Sequence, residues 1–186
     1  MKRVTSISAL FLMAFCFMFN LKINGQALSS ADIKTQLVTD WQRAKAYTNE
    51  YLNTMPANKY GAKAVDSLRS FAQQMIHLAA ANVFIMSNAT GENALSWAGF
   101  TMEERATALT KDSVVYYVNS SYDFCMNAVK NSNPDKWGEK VKLFGQFEGT
   151  RFAFMQKAFE HQTHHRGQTT IYIRLQGIKP PQEKLF

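Results

Sequence analysis

Apolar residues recur every three or four positions along four long stretches of the chain, the spacing that places them on one side of an α-helix. In the first stretch Ile33, Leu37, Trp41, Ala44 and Tyr51 align, with Ser29 or Ser30 as the cap, Asp32 in the first turn and Met55-Pro56 at the end. The second is predicted from about Ala64 to Asn88. Leu68, Phe71, Met75, Leu78 and Ile85 form its apolar side, Asn82 interrupts it, and Asn88 to Gly91 stop it. The third begins at a Thr110 cap with Asp112 in its first turn and ends before Asn131-Ser132-Asn133-Pro134. The fourth runs from about Thr150 to Gln176, closed by Gly177 at the capping position and Pro180-Pro181 beyond it. A connection of about twenty residues between the second and third holds Trp97, Phe100 and a short helix from Met102 to Leu109; its aromatics are expected to pack over something. Only Lys140 to Phe147 reads as extended. The expected fold is all-α, an antiparallel four-helix bundle.

Ahead of the first helix, Lys2 and Arg3 precede an apolar run from Ala9 to Phe19, and the small residues Gly25 and Ala27 follow. This is the pattern of a secretory signal peptide over residues 1–27, leaving residues 28–186 as one domain. The run is about half of the roughly 20 residues that a membrane span needs, so a retained anchor is the weaker reading and no stable span is expected after cleavage. Phe15 stands before Cys16 where lipoprotein cleavage wants a small residue. The expected location is periplasmic or secreted.

Composition narrows the chemistry. Of the formal charge of +7, Lys2, Arg3 and Lys22 fall in the leader and no acid does, so the mature chain carries about +4. Its basic residues are scattered, which argues against a nucleic-acid partner. Cys125 alone remains after cleavage, and Val114, Val118, Cys125 and Val129 share one helical face, which makes it a core thiol. Any metal site must then be built from histidine and carboxylate.

On the fourth helix, steps of four and three join Phe154, Ala158, His161, His165, Gln168, Tyr172 and Leu175 into one core-facing stripe. Its polar middle needs partners, because a buried unsatisfied imidazole or amide costs about 1 to 3 kcal/mol. Two histidines four apart can converge on one ion, as in the helical HExxH motif, and they can equally be hydrogen-bonded core groups. His77 changes the weighing. It stands on a polar, small face of the second helix, with Ser70, Gln73 and Gln74 before it and Ala80 and Ala81 after, and can complete a three-histidine site. His164 is the competing second ligand, three residues from His161; the continuing stripe favours His165, and His164 is expected at the edge beside Glu160. Glu160 and Arg166 are read as surface groups or as supports behind the ligands, not as ligands. Gly167 weakens a helix by about 1 kcal/mol relative to Ala, so its use would be to admit another helix or a ligand.

With His77 in the second helix, the terminal run His161-Gln162-Thr163-His164-His165-Arg166-Gly167-Gln168 and then Tyr172-Ile173-Arg174-Leu175-Gln176-Gly177-Ile178-Lys179-Pro180-Pro181 resembles the DinB/YfiT-like family. The resemblance covers the mature chain in helix order and is specific in the terminal segment. It implies a four-helix bundle, often dimeric, with a divalent metal held by three histidines that map onto His77, His161 and His165. The metal implied is nickel, zinc or iron. The relatives include thiol-dependent transferases and isomerases as well as metal-dependent hydrolases.

Three imidazoles leave a coordination position for water or substrate, the arrangement of a catalytic rather than a structural metal. Export disfavours the thiol branch, since small thiol cofactors are mainly cytoplasmic. The leading expectation is a periplasmic or secreted metal-dependent hydrolase of small molecules; the rival is a noncatalytic metal-binding dimeric scaffold. No general base stands out. Gln168 and Tyr172 lie on the ligand face as candidates for orienting water or substrate, and a pocket lined by Trp97, Phe100 or Tyr172 would favour an enzyme.

Overall fold

The computed structural model describes residues 27–185; the expected signal peptide, Ala27 apart, lies outside the described residues. Four long helices carry the fold: α1 (Ser30–Thr54), α2 (Phe71–Thr90), α3 (Lys111–Asn131) and α4 (Arg151–Leu175). Each starts at a side-chain cap. Ser29 and Asp32 form a reciprocal capping box on α1, as Ser70 and Gln73 do on α2, while Thr110 and Thr150 accept from Ser113 N and Ala153 N. Gly91 (φ 83°) and Gly177 (φ 74°) take the left-handed conformation just past α2 and α4.

α2 is shorter than its apolar period predicts. Residues 64–70 form turns instead of helix, because the Ser70–Gln73 box fixes the start at Phe71. Leu68, expected on the apolar side, is consequently exposed. The missing turns also uncover α4. Tyr172 lies level with Arg69, where α2 has not yet begun, and Leu175, one turn further, is exposed at the end of its stripe. The expected helix over 102–109 is two 3-10 turns, Phe100–Glu104 and Ala106–Ala108. The extended piece is one arm of a hairpin, β1 (Lys140–Leu143) against β2 (Phe147–Thr150), antiparallel with Lys140 opposite Thr150. Phe144 (φ 52°) and Gly145 (φ 71°) turn the chain at its tip.

Side-chain contacts fix the helix directions. Lys45–Asp123, Asn49–Asn119 and Lys111 on the Met55 carbonyl run α1 antiparallel to α3. Gln74–His165 and Arg69–Tyr172 run α2 antiparallel to α4. Trp41 against Phe159 and Tyr51 against Thr170 place α1 alongside α4 in the same direction, so α2 and α3 also run together. The 91–110 connection carries the chain back between them, and Trp97 within it lies against Tyr117 of α3. The core is one cluster in which Trp41, Tyr122, Phe71, Met75, Leu78 and Met155 are almost wholly buried. Val114, Val118, Cys125 and Val129 are all buried in it, and burial pushes the Cys125 thiol up, which keeps it protonated. Among the described residues no helix is long and apolar enough to cross a membrane.

Candidate metal centre

α2 and α4 bring His77, His161 and His165 together, with one ring nitrogen from each within 4.8 Å of the others. The antiparallel packing puts His77 opposite the single α4 turn that carries the pair. Ring centroids are 4.4 Å apart for His161 and His165, 4.7 Å for His77 and His165, and 5.4 Å for His77 and His161. His164 is exposed at the edge, its Nε2 3.0 Å from Gln168 Nε2, and does not join the group. Glu160 is at the surface with Lys157.

The rings are prepared as neutral donors. Burial first, then the charges of His77, His164 and Arg69, lowers His161 to about 4; burial and the same neighbours, with His161 foremost, lower His165 to about 3. His77 is lowered by burial and by Arg69, against an opposing pull from Glu103. At neutral pH all three lone pairs are therefore free of protons. The Nδ1 atoms of His77 and His161 are buried and meet no hydrogen-bond partner, an unfavourable arrangement for a bare polar cluster. A divalent ion fits this set: three neutral imidazoles from two helices each offer one nitrogen within 4.8 Å of the other two.

Polar groups surround the histidines, and two of them, Arg69 and Glu103, carry no signal in the sequence. His165 Nδ1 is 2.8 Å from Gln74 Oε1, so this nitrogen donates and the ring's Nε2 keeps its lone pair. Glu103 is held by Arg69 through contacts of 2.6 and 3.0 Å, and its Oε2 stands 3.5 Å from His77 Nδ1. Gln73 donates to the Glu103 carbonyl and so anchors that 3-10 turn onto α2. Gln74 was legible as a polar neighbour of His77, but nothing local places Glu103 there. Tyr172 donates to the Arg69 carbonyl at 2.7 Å, which commits its hydroxyl hydrogen to Arg69 rather than to a substrate.

Two clefts reach the centre. One, of about 560 Å³, is lined by Arg69, Gln74, Glu103, His165 and Gln168; the other, of about 310 Å³, by Ile85, Lys157 and His161, and His164 borders both. Of the expected aromatic lining Phe100 has its ring 6.2 Å from that of His77, and it packs against the stacked pair Phe84 and Phe144.

No curated protein matches the chain. Among solved structures it is similar to a DinB-like protein from Bacillus cereus, with a TM-score of 0.68 and 15% identity over 80% of this chain and 95% of that one. It is also similar to a DinB-like protein from Bacillus subtilis, with a TM-score of 0.60 and 18% identity over 81% and 96%. At these identities the likeness shows the shared bundle alone. The family is fixed by its sequence model, which matches residues 26–185. A capped helical bundle that sets one histidine of α2 against two of α4 is thus found in a chain that belongs to the DinB family.

Proposed function

We propose that the protein is an exported, divalent-metal-dependent hydrolase of small molecules whose ion, zinc, nickel or iron, is held by His77, His161 and His165. The observation that carries this reading is the gathering of three neutral imidazoles with one nitrogen each within 4.8 Å of the others, His165 lining one solvent-reaching cleft and His161 another. When bound, the ion supplies a Lewis acid that polarises a scissile carbonyl or phosphoryl group. The chain's own residues do the rest. Gln74 fixes the tautomer and orientation of His165, and Arg69 holds the Glu103 carboxylate beside His77, the kind of pairing that orients metal-bound imidazoles. Gln168 Oε1 is buried in the cleft wall without a donor, so a substrate N–H or O–H that reaches it gains an acceptor.

The test joins metal content to turnover. Purified mature protein should hold close to one divalent ion per chain and hydrolyse at least one member of a panel of carboxylic esters, amides and phosphoesters. Chelation should abolish that activity and readdition restore it. A fully loaded protein inert toward the whole panel would instead support the noncatalytic dimeric scaffold. The homodimer belongs to the same proposal, and sedimentation velocity showing only monomer at micromolar concentration would remove it.

A further inference from the structure

α4 presents His165 to α2 and, one residue on, Arg166 to α1. Arg166 is not at the surface, as its charge suggested, nor beside the histidines: it is 7% exposed. Its guanidinium lies over the Tyr47 ring, 4.5 Å from the centroid, and donates from Nη1 to Gln162 Oε1 at 3.1 Å. That amide oxygen already accepts from the Tyr122 hydroxyl. Among the described residues no carboxylate lies within ion-pair distance of Arg166, although seven other Lys or Arg side chains have one. A buried cation with only neutral partners is an expensive arrangement, and it becomes favourable when an anion reaches it.

A cavity of about 500 Å³ gives that access. Tyr47, Tyr51, Thr170, Arg174, Lys179 and Pro180 contribute to its walls along with Arg166, and Glu183 is the one acid among the described residues that line it. The hydroxyls of Tyr47, Tyr51 and Thr170 form a chain with spacings of 3.2 and 3.1 Å. Gly167 is an independent sign. It sits inside α4, where glycine weakens the helix, and its backbone is not in the left-handed region. A Cβ built on it meets nothing within 4 Å, so neither backbone conformation nor a neighbouring helix calls for glycine there. The space above it belongs to the Arg166 cavity.

We propose that this cavity is a binding site for a small organic anion, whose carboxylate or phosphate group pairs with Arg166 and whose apolar body lies over Gly167 against Tyr51 and Pro180. Arg174 and Lys179 add attraction at the walls, and the volume is that of an ordinary small-molecule site. The site is separate from the histidine centre and does not depend on turnover there.

Calorimetric titration of the chelator-treated mature chain tests this, because metal removal keeps anions off the histidines. Benzoate and inorganic phosphate are the probes, with benzamide as the uncharged control. Saturable one-site binding of benzoate identifies a carboxylate site and that of phosphate a phosphate site, while benzamide should not bind. Gly167→Leu should fill the cavity and weaken the anion about tenfold or more, equivalent to about 1.4 kcal/mol, while leaving the melting temperature unchanged or higher. Arg166→Lys should also weaken it, through loss of the planar fork. Because a change at buried Arg166 can disturb folding, Gly167→Leu decides. Unchanged anion affinity in that variant, or no saturation by either anion below about 10 mM in the parent, overturns the proposal.

Discussion

His161 and His165 differ from His164 in what surrounds each ring, and that difference sets what each substitution should do. His161 and His165 share one α4 turn facing α2, whereas His164 is exposed, its ring edge-on to His165 and its Nε2 beside the Gln168 amide. His77→Ala, His161→Ala and His165→Ala should therefore each lose most bound metal, and His164→Ala should retain it, by elemental analysis of the four purified variants. Retention in His165→Ala with loss in His164→Ala would reverse the assignment. The same rings set a pH dependence. His161 and His165 take up protons only near pH 4 and 3 in the folded chain, against 6.5 for a free imidazole, so the unfolded chain binds protons first as pH falls. Metal-free protein should keep its full histidine contribution above pH 6.5 and lose it progressively down to about pH 4 to 3. Urea midpoints across this window check the slope, which should flatten in a His161→Gln/His165→Gln variant. The gathering of the histidines was legible because a four-residue step and a polar, small face are local patterns. Arg69 and Glu103 were not legible, because they reach His77 from a turn and a 3-10 connection that carry no period.

At the level of elements, caps proved better guides than apolar spacing. Thr110, Thr150 and Ser29 mark true starts, whereas Leu68 continues the apolar rhythm of α2 upstream of Ser70 without joining the helix. The reciprocal bonds between Ser70 and Gln73 win there, since they satisfy two backbone donors that the helix end would otherwise leave bare. Ser70→Ala should lower unfolding free energy by about 1 kcal/mol, measured by urea denaturation. An effect within error would mean that packing of Phe71 and Met75 alone sets the boundary. The hairpin was half legible: Lys140 to Leu143 alternates as a strand should, but the return through Phe144 and Gly145 depends on left-handed backbone that alternation does not encode.

Across the whole molecule, the all-α class follows from the four periods, but the neighbour relations do not. Which helix runs beside which is decided by pairs such as Asn49–Asn119 and Tyr51–Thr170, each more than sixty residues apart in sequence. An ion that binds only the folded bundle should stabilise it by mass action, about 4 kcal/mol when free metal is a thousandfold above Kd. Chelation should accordingly lower the melting temperature by several degrees in scanning calorimetry, and an unchanged transition would speak against a shared ion. Export predicts a mature chain beginning at Leu28 or within a few residues of it. Intact mass spectrometry of released protein would find this start, and Met1 in the mature pool would refute it.

The division of the three histidines between two helices also bears on how the bundle assembles. His161 and His165 meet whenever one turn of α4 is helical, a local event. His77 joins only when α2 docks, and its neighbour Gln74 reaches His165 across 91 residues of chain. Such distant contacts form late, because the entropy of closing a long loop must be met first. A ligand that needs both helices therefore acts after the main folding barrier: it slows the departure of α2 from α4 and leaves the rate of their first encounter nearly untouched.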